Sequence, residues 1–239
     1  MLIRVNMSTK EVTKEILPKE YLFLGGRSLT SRLLMDEVDP TCEALGPKNK
    51  LIIAPGLLGG TVAPCSGRIS IGAKSPLTGG IKESNGGGTA AGKLAKLGIR
   101  ALVIEGQPQE ENFFLLKVTN DEVEILPTDD IKGLGNYDTA KTLFRKYGSK
   151  TGIISIGPAG ERGYSVSTIA ITDMEGTPCR HCGRGGMGAV MGSKKIKAIV
   201  IDDNGASKIT YKDEKTFKDV SREWAKELVI TRKGMTDYG

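Results

Sequence analysis

The 32 glycines of this 239-residue chain fall in clusters, at Gly59-Gly60, Gly79-Gly80, Gly86 to Gly88 and through Gly183 to Gly192, each beside an apolar run. Glycine lacks a Cβ and accepts positive φ, so such clusters let the backbone turn sharply or approach a ligand closely. Their frequency is about twice the ordinary ~7%. The intervening apolar runs exclude a flexible linker and point to a chain that turns tightly between short buried elements.

The clusters also repeat. IIAPGLLGG at 52–60 is echoed by IISIGPAG at 153–160, and RISIGA at 68–73 by VSTIAI at 166–171. A glycine-rich turn, a short helix and a strand recur as GGGTAAGKLAKLGIRALVIEG at 86–106 and GRGGMGAVMGSKKIKAIVID at 183–202. This echo predicts an α+β fold of two β-sheets with short helices, duplicated about a pseudo-twofold axis. Both glycine-rich turns are then expected on one common face.

Local patterns fill in the frame. Residues 2–17 read as two strands, followed by a helix from Ser28 to about Glu37, with Ser28 capping its first turn. Strands are predicted at Leu51 to Ala54, Arg68 to Ala73, Ala101 to Glu105, Phe113 to Val118 and Val123 to Leu126, the last two as a hairpin around Asn120-Asp121. Tyr137 to Tyr147 reads as an amphipathic helix ended by Gly148. After Asp203 a polar, linker-like stretch leads to a helix from about Glu214 to Leu228. Its Phe217, Val220, Trp224 and Leu228 have the spacing of a buried face. The domain reading is therefore 1–205, with 206–239 as linker and first helix of a following region. The chain stops while this pattern is still running, which reads as truncation, with an exposed natural terminus as the alternative.

A net charge of +6 raises nucleic acid as a partner. Acidic residues are interleaved with the basic ones and aromatics are only 5%, so a mildly basic surface is the reading and no nucleic acid is expected. No stretch approaches the ~20 apolar residues of a membrane span. The start has no signal-peptide pattern, which makes the cytoplasm the expected location.

Three segments carry candidate chemistry. In PCRHCGRGGMGAVMGSK at 178–194, consecutive glycine N–H groups at a helix start suit an anion, with Arg180 and Arg184 adding charge; tight-turn packing is the alternative. In SPLTGGIKESNGGGTAAGK at 75–93, the Asn85 amide stands before three glycines and can read a donor–acceptor edge over a planar group. Alternatively Ser84 or Asn85 caps the next helix. In APCSGRIS at 63–70, Arg68 enters an apolar strand, either reaching out to solvent or serving a buried anionic cofactor.

In this order, with RVNMSTKEV, LGGRSL, IGPAGERG and above all RHCGRGGMGAVMGSKKIKAI, these segments resemble the first domain of aldehyde ferredoxin oxidoreductases. The resemblance covers residues 1 to about 205. It implies two sheets forming a base under a tungsten (or molybdenum) ion held by two pyranopterin dithiolenes, with magnesium a candidate between the pterin phosphates. Transferred by motif position, Arg68, Asn85, Gly86, Gly87, Arg180, His181, Gly183, Arg184 and Gly185 would contact the cofactor, Arg68 also lying towards a 4Fe–4S cluster. It further implies oxidation of aldehydes to carboxylates, with electrons passing to ferredoxin in an anaerobic setting. The cluster ligands, in a CxxCxxxC group and one distant cysteine, would belong to later domains of the same chain. No catalytic residue or metal ligand is therefore expected here, and this stretch alone should be inactive. A homodimer is a further candidate partnership.

One place departs from the family pattern. Where relatives commonly carry Arg-Ala-Ala-Gly, this chain has Arg180-His181-Cys182-Gly183, preceded by Cys179. Pocket lining is the leading reading of CRHC, with a redox pair or a structural metal as alternatives. Two further functions stay open: a same-family reductase of aromatic thioesters, and a non-catalytic pterin-binding scaffold.

Overall fold

The computed structural model describes residues 1–238, apart from the side chains of residues 235, 236 and 238. The first half of the chain builds β1 (Leu2–Asn6), β2 (Glu11–Glu15), β3 (Leu51–Pro55), β4 (Ile69–Lys74), β5 (Ile81–Gly86) and β6 (Ala101–Glu105). The second builds β7 (Phe114–Val118), β8 (Val123–Pro127), β9 (Gly152–Ser155), β10 (Ile169–Ile171), β11 (Arg180–Cys182) and β12 (Ile196–Ile201). Helices α1 (Arg27–Glu37), α2 (Ala90–Lys96), α3 (Asn136–Tyr147), α4 (Pro158–Glu161), α5 (Met187–Ser193) and α6 (Glu214–Thr231) connect or follow them.

The duplication is present strand for strand. One sheet runs β2-β1-β6-β3-β4-β5, and the other, read from its far edge, runs β8-β7-β12-β9-β10-β11. In each, a single parallel pair, β1 with β6 or β7 with β12, sits among antiparallel ones. Registers agree too: Ile53 faces Leu102 and Ile71 in one sheet as Ile154 faces Ile199 and Ile171 in the other. This equivalence sets Arg100 opposite Lys197, and both side chains bond carbonyls of the loop leading into the long helix of their half: Leu24 O at 2.7 Å before α1, and Leu134 O at 2.7 Å before α3.

The layers follow from hydrophobic patterning. Buried residues of the inner faces of both sheets pack with Ala90, Ala91 and Leu94 of α2 and Met187, Val190 and Met191 of α5 in one core. The outer face of the first sheet is covered by Leu29, Leu33 and Leu34 of α1, that of the second by Ala140 and Leu143 of α3. Burying each such Leu or Ile contributes roughly 1.5–3 kcal/mol, so both sheets have a core on each face.

Some expectations are corrected. Ser28 does not cap α1; Gly26 precedes it, and Ser28 Oγ turns back to donate to Gly25 O at 2.9 Å. Neither Ser84 nor Asn85 caps α2, because both lie in β5 and the helix begins after Thr89. Ile81–Gly86 and Arg180–Cys182, not assigned as strands from the sequence, are strands. The apolar stripe of α6 does not pack as a buried face: Val220 is 57% and Trp224 53% exposed, and Phe217 meets Tyr211, with ring centroids 4.8 Å apart.

Candidate functional site

The two sheets approach each other along β5 and β11, the edge strands in which the glycine-rich turns begin. Gly86 abuts β11 so closely that a Cβ there would lie 3.0 Å from Cys182 Sγ. Across the seam Arg184 N–H donates to Ser84 Oγ at 3.1 Å, and Ser75 Oγ donates to Gly185 O at 2.7 Å. Both turns therefore share one face, as the echo predicts.

Along that seam lies an open cleft of about 710 Å³, lined by residues that include Arg27, Glu83, Asn85, His181, Gly183 and Arg184. Beside it a shallower hollow includes Gly26, Ser66, Arg68, Ser70 and Asn85. Asn85 is held from two sides: Arg68 Nε donates to its Oδ1 and Nη2 to its backbone O, while its Nδ2 donates to Ser70 Oγ at 3.1 Å. Ser70 Oγ in turn donates to Glu83 Oε1 at 2.7 Å, and Arg27 pairs with Glu83 Oε2 at 2.9 Å. The amide's rotation is fixed by this chain of bonds, which is what a group that reads a ligand edge requires.

The second half offers a counterpart. Ser70 faces Asn85 between β4 and β5, and Ala170 faces His181 between β10 and β11. Arg68 and Thr168, each just before its strand, then hold these residues, Thr168 Oγ1 standing 2.9 Å from His181 Nδ1.

The glycines separate into two kinds. Gly86, Gly88, Gly185, Gly186 and Gly188 are required by protein packing: a Cβ on Gly186 would lie 2.0 Å from Ser165 O, and one on Gly88 2.6 Å from Thr172 O. For these the tight-turn alternative is sufficient. Gly67 and Gly183 would meet no protein atom within 4 Å, and Gly87 only Arg180 Cδ at 3.9 Å, and none of the three has positive φ. Nothing in the protein requires these three to be glycine. They leave bare backbone where a flat ligand can lie. Beside them, Arg68 after Gly67, Arg184 after Gly183 and Arg180 against Gly87 have no carboxylate partner among the described residues. Bare backbone beside guanidinium groups that have no carboxylate partner among the described residues fits a planar, phosphate-bearing cofactor such as a pterin dithiolene.

Cys179 and Cys182 are both free thiols and stand in different settings. The Cys179 thiol is exposed and donates to Asp173 Oδ2 at 3.0 Å, which raises its pKa and lowers that of Asp173. Cys182 is buried under Gly86, and burial, then the Glu83 carboxylate, push its thiol up to about 12. No three His, Cys, Asp or Glu side chains converge on a metal position among the described residues.

Sequence reading missed Arg27, Ser70, Glu83 and Thr168. The signal for Glu83 was its i, i+2 spacing from Asn85, visible only once residues 81–86 are taken as a strand. A second cleft of about 640 Å³, which includes Cys65, Gly67, Thr89, Lys93, Lys150 and Asp203, shares Ser66 with the shallower hollow. Its Lys93 and Lys96 share the single Asp203 carboxylate, at 2.5 and 3.0 Å. Among the described residues no helix is long and apolar enough to cross a membrane.

Comparison with known proteins agrees with this fold. The family described as "Aldehyde ferredoxin oxidoreductase, N-terminal domain" matches residues 2–203. The chain is similar to tungsten-containing aldehyde ferredoxin oxidoreductases of Pyrococcus furiosus, 38% identical, and Thermococcus kodakarensis, 39% identical, each match covering 99% of this chain and 39% of the relative. It thus spans about two fifths of their length. Among solved structures it is similar to the active site complex BamBC of benzoyl coenzyme A reductase in complex with 1,5-dienoyl-CoA. There the TM-score is 0.88 and the identity 28%, over 98% of this chain and 34% of that one.

Proposed function

The chain belongs to the aldehyde ferredoxin oxidoreductase family through its N-terminal domain, and from that premise we propose that residues 1–205 are the base on which a tungsten (or molybdenum) bis-pyranopterin rests. The observation that supports this reading is the bare backbone at Gly67, Gly87 and Gly183, next to Arg68, Arg180 and Arg184, which have no carboxylate partner among the described residues. The bound group would supply two-electron redox chemistry for oxidation of an aldehyde to a carboxylate. The protein's part is to bind and orient. Arg68 locks the Asn85 amide, the guanidinium groups offset phosphate charge, and the bare backbone lets a ring system lie close. Residues 206–239 are read as the passage to the following region. The 4Fe–4S cluster, its ligands, ferredoxin, magnesium between phosphates, a homodimer and a cytoplasmic location all belong to the proposal for the whole protein.

The benzoyl coenzyme A reductase neighbour favours one second reading, a reductase of aromatic thioesters built on the same base. The test is anaerobic purification of the protein from its source, with tungsten, molybdenum and pterin analysis, and parallel assays with aldehydes and with an aromatic thioester. Metal and pterin with aldehyde-dependent reduction of ferredoxin is the expected result. Turnover of the thioester alone selects the second reading, and absence of both metal and pterin refutes both. The 239-residue chain on its own is expected to hold no stoichiometric tungsten or iron, because a group placed between domains loses the contacts of its other wall.

A further inference from the structure

The duplicated register assigns a second ligand-reading side chain. We propose that His181 does for the second half of the cleft what Asn85 does for the first, with Thr168 as its positioning residue. The inference rests on the proposed anionic-ligand reading of the cleft and extends it to a residue pair outside the family's Arg-Ala-Ala-Gly pattern.

Three observations carry it. The register makes Asn85 and His181 equivalent, each one residue inward from the last residue of its edge strand, facing Ser70 and Ala170 respectively. Each is held by the residue just before the preceding strand, Asn85 by Arg68 and His181 by Thr168. The two side chains line the same cleft. With Nδ1 engaged by Thr168 Oγ1 at 2.9 Å, Nε2 is the ring's open nitrogen in an exposed imidazole.

The surroundings fix the direction of the bond. Arg180 and Arg184 flank His181 in sequence, and Arg27 and Lys82 face it across the cleft from α1 and β5. The one carboxylate there, Glu83, is occupied by Arg27 and Ser70. A ligand drawn to that field is rich in acceptors, so the productive tautomer carries its proton on Nε2 and donates it outward. Thr168 then donates its hydroxyl proton to Nδ1 and holds both tautomer and ring angle. The ligand class is an anion with acceptor oxygens on both sides of the seam, as in a phosphorylated two-lobed cofactor.

His181 is the sole histidine of the chain, so its ring nitrogens can be observed without assignment ambiguity. The experiment titrates the nitrogen-15-histidine-labelled 239-residue chain with inorganic pyrophosphate, following the ring by long-range proton–nitrogen correlation and affinity by calorimetry. Pyrophosphate is expected to shift Nε2 saturably, and His181→Ala to weaken binding about tenfold, as for a lost hydrogen bond to a charged acceptor. In the near-isosteric Thr168→Val, the Nδ1 resonance should lose its hydrogen-bond shift and affinity should fall as in His181→Ala. Thr168→Ser should restore both, which a merely structural role for the threonine would not require. Saturable binding that leaves His181 unshifted and is equal in His181→Ala overturns this inference and leaves the anionic cleft standing. Absence of any saturable binding to the wild-type chain overturns the cleft reading and this inference with it.

Discussion

The two halves of the molecule share one strand order and one register, yet they are finished differently. In the second half the glycines of the short helix are welded into place, a Cβ on Gly192 meeting Gly160 O at 2.0 Å. In the first half the corresponding helix is looser: Gly92 has only Gly60 Cα, at 3.9 Å from its would-be Cβ. The second half also buries Lys194 and Lys197 completely, where the first has the part-exposed Arg100. One half is thus packed to its limit while the other keeps open loop surface beside α2. A repeated fold can therefore hold its ligand across the seam while dividing rigidity and access between its copies.

The largest effect expected from this difference concerns those helix glycines. Gly192→Ala drives a side chain into backbone that cannot yield, so a loss of about 4 kcal/mol or failure to fold is expected. Gly92→Ala should be neutral or stabilising by up to ~1 kcal/mol, because alanine is the better helix former. Urea unfolding of both variants measures the contrast. Equal losses would show that the halves are packed alike.

Next in size is the lysine–arginine pair. The fully buried Lys197 Nζ bonds Leu134 O and Ile156 O and pairs at 2.5 Å with Glu161, whose side chain is only 10% exposed. Lys197→Met leaves Glu161 without its charge partner and is expected to cost roughly 3–5 kcal/mol. Arg100→Met, which removes bonds to Leu22 O and Leu24 O from a part-exposed site, should cost about 1 kcal/mol. Denaturation midpoints at constant m-value decide between them.

How far these asymmetries were legible in the sequence depends on what each residue faces. The apolar strands β3, β4 and β6, the β7–β8 hairpin and α3 with its Gly148 stop announce themselves through periodicity and turn chemistry, and the echo revealed the duplication. β5 and β11 did not, because KESN and RHC carry polar side chains at the cleft and owe their strand form to pairing with β4 and β10. Ser28 resembled a cap because the residues around it allow one, but Gly26 takes that place. Nor could sequence divide glycines demanded by packing, such as Gly186, from those left bare, such as Gly183. That distinction exists only once Ser165 O is known to stand against one of them.

A pH dependence sharpens the comparison further. Lys194 is fully buried among the carbonyls of Gly46 and Pro47, and burial lowers its pKa to about 8. The unfolded chain, with an ordinary lysine near ~10.4, then binds more protons than the folded one between those values. Stability should therefore rise with pH from about 8 towards about 10, by at most ~1.4 kcal/mol per unit from this group. Subtracting the same profile for Lys194→Met isolates it. A difference profile that is flat or falling contradicts the assignment.

The smallest stability effect belongs to α6, outside both sheets. Since Trp224 is half-exposed, Trp224→Lys should change unfolding free energy by less than ~0.5 kcal/mol. If the stripe associates with a neighbour, the same substitution should abolish concentration-dependent association in sedimentation. A large stability loss would instead mean that the helix packs on the sheets.

The claim that both halves hold one ligand across the β5–β11 seam is tested most directly by amide chemical-shift mapping of the 239-residue chain with a phosphorylated pterin. The account predicts that Gly87 and Gly183 N–H resonances move together with one shared dissociation constant, while Gly160 and Gly192 stay fixed. Shifts confined to one half, or centred on Thr61 and Lys93 in the neighbouring cleft, would contradict it.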